Sequence, residues 1–233
     1  MYQLDVIARI RSDFPAKFGI PRQSGLVEAL KARIIFEDRY RDATALRGLE
    51  GFSHIWIIWA FSESVRDGWS PTVKPPRLGG NTRMGVFATR SPFRPNPIGL
   101  SCVRLERIES STADGPVLHV AGADLMDGTP IYDIKPYLPY VDCHPEATGG
   151  FAQATQSYAI CVDFPEPLLK TLPEEKRRAA VDMLAQDPRP GYRHDDDERR
   201  YGVAFAGYDI RFSVSGGVLR VFDVVPLDPP SEP

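Results

Sequence analysis

Short β-branched and aromatic runs follow one another from Leu4 to Ile134 with almost no helical spacing between them. This constrains the fold more than any other feature of the chain. Leu4, Val6, Ala8 and Ile10 alternate with Asp5, Ile7 and Arg9, a period of two with one apolar exception, which marks a strand. Ala32–Phe36, Ser101–Ile108, Val117–Ala123 and Thr129–Ile134 read as further strands, and Met84–Ala88 is a shorter candidate. The run Ile-Trp-Ile-Ile-Trp-Ala-Phe at 55–61 is short and β-branched, so it reads as a buried strand and not a helix. Residues 42–51 have room for a helical turn. Strands this short and frequent, without helices between them, predict an antiparallel barrel or sandwich. The 22 prolines, against 19 glycines, argue against a helical bundle.

A different pattern begins at Tyr158. Tyr158–Phe164 reads as a strand. Pro173–Gln186 reads as a helix with Ala180, Val181 and Leu184 on one face and Pro188 after its end. Tyr208–Ser213 and Val218–Val225 flank Ser215-Gly216-Gly217, the chemistry of a hairpin turn. The fold class predicted is mainly β, with an N-terminal domain over 1–146 and a small α+β domain over 157–227.

The formal net charge of −3 is unevenly spread. From Gly68 to Leu105 there is no Asp or Glu, while Lys74, Arg77, Arg83, Arg90, Arg94 and Arg104 give +6, leaving −9 for the rest. A basic block in an acidic chain points to a local site for phosphate or carboxylate, against the alternative of a solvated face. Most of these cations sit among prolines and glycines, on loops, where function concentrates. Cys102, Cys143 and Cys161 are far apart and odd in number, so neither a disulfide framework nor a metal site is expected, and a reducing cytoplasm is the expected location. No run reaches the length of a membrane span, and the N-terminus lacks a signal core, so no membrane partner is expected.

No G-x-G-x-x-G follows a strand, and there is no P-loop, H-E-x-x-H or G-x-S-x-G. The common dehydrogenases, kinases, zinc proteases and α/β-hydrolases are excluded, as is a methyltransferase on a Rossmann sheet. The most specific segment is Gly85-Val86-Phe87-Ala88-Thr89-Arg90-Ser91-Pro92-Phe93-Arg94-Pro95-Asn96-Pro97-Ile98-Gly99-Leu100. Its prolines fix φ and stiffen a turn that aims Arg90 and Arg94 in advance, and Arg suits bidentate contact with carboxylate or phosphate.

This segment resembles the signature of the TsaA-like (TrmO) family of S-adenosylmethionine-dependent tRNA methyltransferases. So do Pro21-Arg22-Gln23, Arg47-Gly48-Leu49-Glu50, Arg77-Leu78-Gly79-Gly80-Asn81, Asp124-Leu125-Met126-Asp127-Gly128-Thr129-Pro130 and Asp133-Ile134-Lys135-Pro136-Tyr137. Gln186-Asp187-Pro188-Arg189-Pro190 extends the resemblance into the second domain, as in the bacterial two-domain form. The resemblance implies a small antiparallel β-barrel, a homodimer, and methyl transfer to N6 of N6-threonylcarbamoyladenosine at position 37, beside the anticodon of threonine tRNA. It implies a donor site at Gln23, Ser24, Gly25, Ser62, Glu63, Arg90, Leu100, Asp127, Gly128 and Thr129. Without the resemblance, Asp127-Gly128 reads first as an ordinary hairpin turn with Gly at positive φ.

The acceptor nitrogen lies between a purine and a carbonyl, so a base within reach would help. Asp133, Lys135 and Tyr137 are the candidates, since a spacing of two puts them on one side of a strand. A structural Asp–Lys pair is the competing reading. Lys74, Arg77, Arg83, Arg94, Asn96, Arg189 and Arg193 are the candidate tRNA contacts, while Trp56 and Trp59 are expected in the core. Two other functions compete: a non-catalytic adenosyl-ligand sensor, which would not need the exposed cations, and a hydrolase using Cys102 or Cys143, which lacks a paired histidine.

Overall fold

Alternation along the strands separates an inner from an outer face, and six of them close on themselves. The computed structural model describes residues 3–65, 68–75, 78, 82–155, 158–190 and 199–227. The barrel strands are β1 (Ala8–Arg11), β2 (Lys31–Phe36), β3 (His54–Ala60), β6 (Ile98–Thr112), β7 (Gly115–Ala121) and β8 (Pro130–Pro136). They close in the order β1-β2-β7-β6-β3-β8, every neighbour antiparallel. Closure leaves no edge open to aggregation. Ile10, Ile34, Ile55, Ile57, Leu118, Val120 and Ile131 fill the interior, all fully buried.

Leu4 to Val6 do not pair, although the alternation includes them; Ile7 is the last residue toward the N-terminus bonded on both sides, to Ile131 and Glu37. Two turns of 3-10 helix, Ala43–Leu46 and Leu49–Gly51, occupy 42–51. Between β3 and β6 a two-stranded ribbon, β4 (Thr72–Val73) with β5 (Met84–Gly85), interrupts the long irregular segment. The strand expected at 84–88 therefore ends after two residues, and Val86–Ala88 is a 3-10 turn.

Beyond a short helix α1 (Pro139–Asp142), the second unit is a four-stranded sheet, β10-β11-β12-β9. Its strands are β9 (Cys161–Asp163), β10 (Arg200–Phe205), β11 (Tyr208–Ser215) and β12 (Val218–Pro226), packed with helices α2 (Glu166–Leu169) and α3 (Glu174–Ala185). Gly216 and Gly217 both take positive φ, as a two-residue hairpin loop of this hand requires. Helix α3 buries Ala179, Ala180, Met183 and Leu184; Val181, expected on that face, is only half-buried. β10 is absent from the sequence reading although Tyr201, Val203 and Phe205 alternate inward; Gly202 lies on its outer face, where a Cβ would stand 2.6 Å from Asp209.

The second core is not built from the C-terminal sequence alone. Phe14, Val27 and Leu30, from the connection between β1 and β2, are buried in it. Phe14 packs on Phe205 with ring centroids 5.3 Å apart. Lys176 of α3 donates to Asp13 at 2.6 Å, and the Ala206 amide bonds the Asp13 carbonyl. The connection over 12–30 is thus a strap across the second unit, and a cut between 146 and 157 leaves it on the barrel's side.

Candidate active site

The strap also carries the segment Arg22–Gly25, whose bonds run to four separate parts of the chain. Arg22 donates to the carbonyl of Arg189 at 3.4 Å. Arg90 Nη1 donates to Gln23 Oε1 at 2.5 Å. The Cys102 amide donates to Ser24 Oγ at 3.1 Å, and the Gly25 amide to the Gly122 carbonyl at 2.8 Å. Gly25 has φ +78, and its Cα lies 3.3 Å from where a Cβ on Gly122 would stand, so two glycines let the chains meet.

Beneath this loop lies a carboxylate that sequence reading did not single out. Asp124 Oδ1 accepts from Ser101 Oγ at 2.6 Å, and Ser101 Oγ accepts from Trp59 Nε1 at 2.9 Å. The Ser24 amide also bonds to Asp124, and Arg90 lies close enough to act on its charge. Burial pushes the Asp124 carboxyl up, and the bonds from Ser101, Ser24 and the Arg90 charge oppose that shift. Ser101 is fully buried, and Trp59 is 7% exposed, in the core as expected. A Cβ on Gly99 would come within 2.2 Å of the Trp59 ring. Asp124 lies in the Asp-Leu-Met-Asp run, but spacing alone does not say which aspartate turns inward.

Barrel register assembles the outer face next to this loop. Leu100 of β6 stands opposite Ile58 of β3, which stands opposite Asp133 of β8. Cys102, Trp56 and Lys135 form the next row. Leu100 thus shares a face with the expected catalytic residues. Lys135 Nζ pairs with Asp133 at 2.8 Å, both exposed, and this bond and charge raise the lysine's pKa. Tyr137 stacks obliquely on Trp56 at 5.8 Å; burial, then Cys143, Cys102 and Asp142, raise its pKa. Both shifts favour the protonated forms of Lys135 and Tyr137. Trp56 Nε1 donates to Asp142 at 3.0 Å, so α1 closes that end of the face.

Asp127, Gly128 and Thr129 pack on the β1 side. Asp127 accepts from the Ser12 amide at 2.9 Å and from Arg11 at 3.3 Å, and Thr129 is buried with its hydroxyl on the Met126 carbonyl. Ser62 and Glu63 form a 3-10 turn after β3, and Lys17 of the strap donates to the Glu63 carbonyl. Lys74 and Asn96 are exposed; Arg83 is exposed and bonds Thr72 at 2.8 Å; Arg94 is half-buried and bonds the Thr89 carbonyl at 3.0 Å. Arg77 and Arg193 lie outside the described residues.

Arg189 departs from expectation. Its side chain is 5% exposed and forks onto Asp187, 1% exposed, with two bonds of 2.9 Å. An arginine saturated in this way does not face a phosphate in solvent; it is a structural residue whose carbonyl braces Arg22. Burial raises the Cys102 thiol pKa, and the Asp142 charge adds to it, which disfavours the hydrolase reading. Among the described residues no three His, Cys, Asp or Glu side chains gather as a metal site needs, and no helix is long and apolar enough to cross a membrane.

Residues 9–143 match the tRNA-methyltransferase O N-terminal domain, and 158–227 match the TrmO C-terminal domain. The chain belongs to the TrmO family. It is 43% identical to the tRNA (adenine(37)-N6)-methyltransferase of Escherichia coli K12 over 97% of this chain and 98% of that one. A crystal structure of TrmO from Pseudomonas aeruginosa superposes with a TM-score of 0.77, at 35% identity and 97% coverage of both chains. An S-adenosyl-L-methionine-binding protein of Archaeoglobus fulgidus is 37% identical over 60% of this TrmO-family chain and 92% of its own length. Barrel, strap and C-terminal sheet together form a TrmO architecture, a methyltransferase built without a Rossmann sheet.

Proposed function

We propose that this chain transfers a methyl group from S-adenosylmethionine to N6 of adenosine 37 of tRNA, with N6-threonylcarbamoyladenosine in threonine tRNA as its acceptor. The observation that carries the reading is the convergence of Gln23–Gly25, Arg90 and Asp124 at the rim of the barrel face that bears Asp133. It is supported by the names of the relatives.

The donor supplies an electrophilic methyl on a sulfonium, together with a carboxylate, an ammonium, ribose hydroxyls and an adenine. The residues present suit that group. Arg90 and Gln23 match a carboxylate, Asp124 and Asp127 match an ammonium and hydroxyls, and backbone around Ser24, Gly25, Leu100 and Thr129 suits an adenine. A Cβ at Gly25 or Gly128 would meet nothing within 4 Å, so both flank open space. Ser62 and Glu63 complete the set through the β3 turn. Asp133 takes the proton from the acceptor nitrogen, while Lys135, held charged, fits the threonyl carboxylate. Tyr137 acts as a hydrogen-bond donor. Positioning supplies much of the rate, since the transfer needs an in-line approach.

In this reading 1–146 binds the donor and 157–227 supports its loop and the tRNA. Lys74, Arg77, Arg83, Arg94, Asn96 and Arg193 contact the RNA, and the protein works as a cytoplasmic homodimer. Exposed Ile98, Leu100, Tyr140 and Val141 offer an apolar surface for self-association. The test is incubation with methyl-labelled S-adenosylmethionine and threonine tRNA, either carrying the threonylcarbamoyl group or as a bare transcript. Label at position 37 in the first alone is expected. Label in both removes the requirement for the modification, and donor binding without label in either favours the sensor.

A further inference from the structure

Two large aromatic side chains face solvent side by side. Trp69 is 54% exposed and Phe87 is 72% exposed, with ring centroids 6.1 Å apart at 32°. Rings left in water cost free energy unless something covers them. The fold holds these two in place. Thr72 pairs with Gly85 and Val73 with Met84, and the Val86 amide bonds the Pro71 carbonyl at 2.9 Å. Val86 is 1% exposed and anchors the 3-10 turn that points Phe87 outward.

The surroundings say what would cover the rings. Arg83 crosses the ribbon to Thr72 at 2.8 Å, and Lys74 is exposed on the same ribbon. No Asp or Glu occurs between Gly68 and Leu105. An apolar protein surface would match the rings but leave the cations unanswered. A polyanion with flat faces matches both, as in single-stranded nucleic-acid sites, where bases stack on rings and the backbone follows basic side chains.

We propose that Trp69 and Phe87 form a stacking platform for an unpaired nucleobase of the RNA substrate, with Lys74 and Arg83 beside its backbone. This rests on the tRNA reading above and adds a subsite to it. Stacking accepts any base, so the platform fixes the path of the loop and adds affinity without selecting an isoacceptor.

Trp69→Ala, Phe87→Ala, Trp69→Phe and Phe87→Tyr are to be compared for KM toward tRNA, donor affinity by calorimetry and mass by light scattering. Each alanine variant is expected to raise KM about tenfold, with donor affinity and mass unchanged, and the aromatic replacements to restore it. An unchanged KM in both alanine variants overturns the platform. A halved mass accompanying the raised KM also overturns it, in favour of a contact between copies. If the wild type methylates no tRNA, the functional reading fails. The platform is then decided by tryptophan fluorescence with a short single-stranded RNA: quenching that Trp69→Phe abolishes supports it, and no such quenching overturns it.

Discussion

Two aspartates illustrate how context decides a side chain's role. Asp187 ends α3 with φ +51, a left-handed conformation that Asn also tolerates. Burial alone would raise its pKa, but the bonds from Arg189 and Tyr158 more than offset this and the net direction is down. A carboxylate depressed in the folded state adds stability above its unfolded pKa of about 4, and that stability is lost as pH falls through the folded value. Asp187→Asn keeps the backbone and removes the charge, taking the carboxylate away from the buried Arg189 guanidinium. We expect a loss of about 3–5 kcal/mol at neutral pH in urea unfolding, shrinking toward acid. Asp124 has the opposite sign. Its pKa is raised, so its ionisation costs stability as pH rises through the folded value. Asp124→Asn should leave the melting temperature equal or higher near neutrality while weakening donor binding about tenfold by calorimetry. A fall in both would make Asp124 a folding residue only.

At the scale of elements, the β3–β6 pair couples the barrel interior to the Gln23–Gly25 loop. Gly99 lies directly opposite Trp59 and leaves room for its indole, which bonds Ser101 and through it Asp124. Gly99→Ala must displace that ring, an overpacking that costs about 1–3 kcal/mol. We expect a lower melting temperature together with weaker donor binding. A variant that binds the donor normally would mean that Asp124 holds Ser24 without help from Trp59. The strands themselves are legible from alternation, because inward and outward residues differ in polarity. The register is not legible, and it is register that sets Leu100 level with Asp133, and Cys102 level with Lys135.

Across the whole molecule, the strap makes the two cores interdependent. Phe14, Val27 and Leu30 lie in the C-terminal core, and a Cβ on Gly19 would stand 2.2 Å from Val203. Residues 158–227 expressed alone lack these side chains and should be poorly structured by circular dichroism. A peptide of residues 12–30 added in trans should increase their structure. A cooperative unfolding transition of 158–227 alone would refute this dependence. Phe14→Ala in the intact chain should cost about 3–5 kcal/mol and also weaken donor binding, since Gln23–Gly25 belongs to the same strap.

The sequence by itself determined most of the barrel strands, helix α3 and the closing hairpin in their order, the acid-free basic stretch, and the signature segments of the family. These depend on periodicity, turn chemistry and residue identity over a few neighbouring positions. Tertiary structure alone decided that Arg189 is buried against Asp187 and not turned to RNA. It also decided that Asp124 faces the Gln23–Gly25 loop while Asp127 is held by Ser12 and Arg11, and that a strap from the barrel completes the second core. Each of these depends on which distant segments meet once the barrel closes. Burial and partnership are set by those meetings, and neither is written in the local pattern.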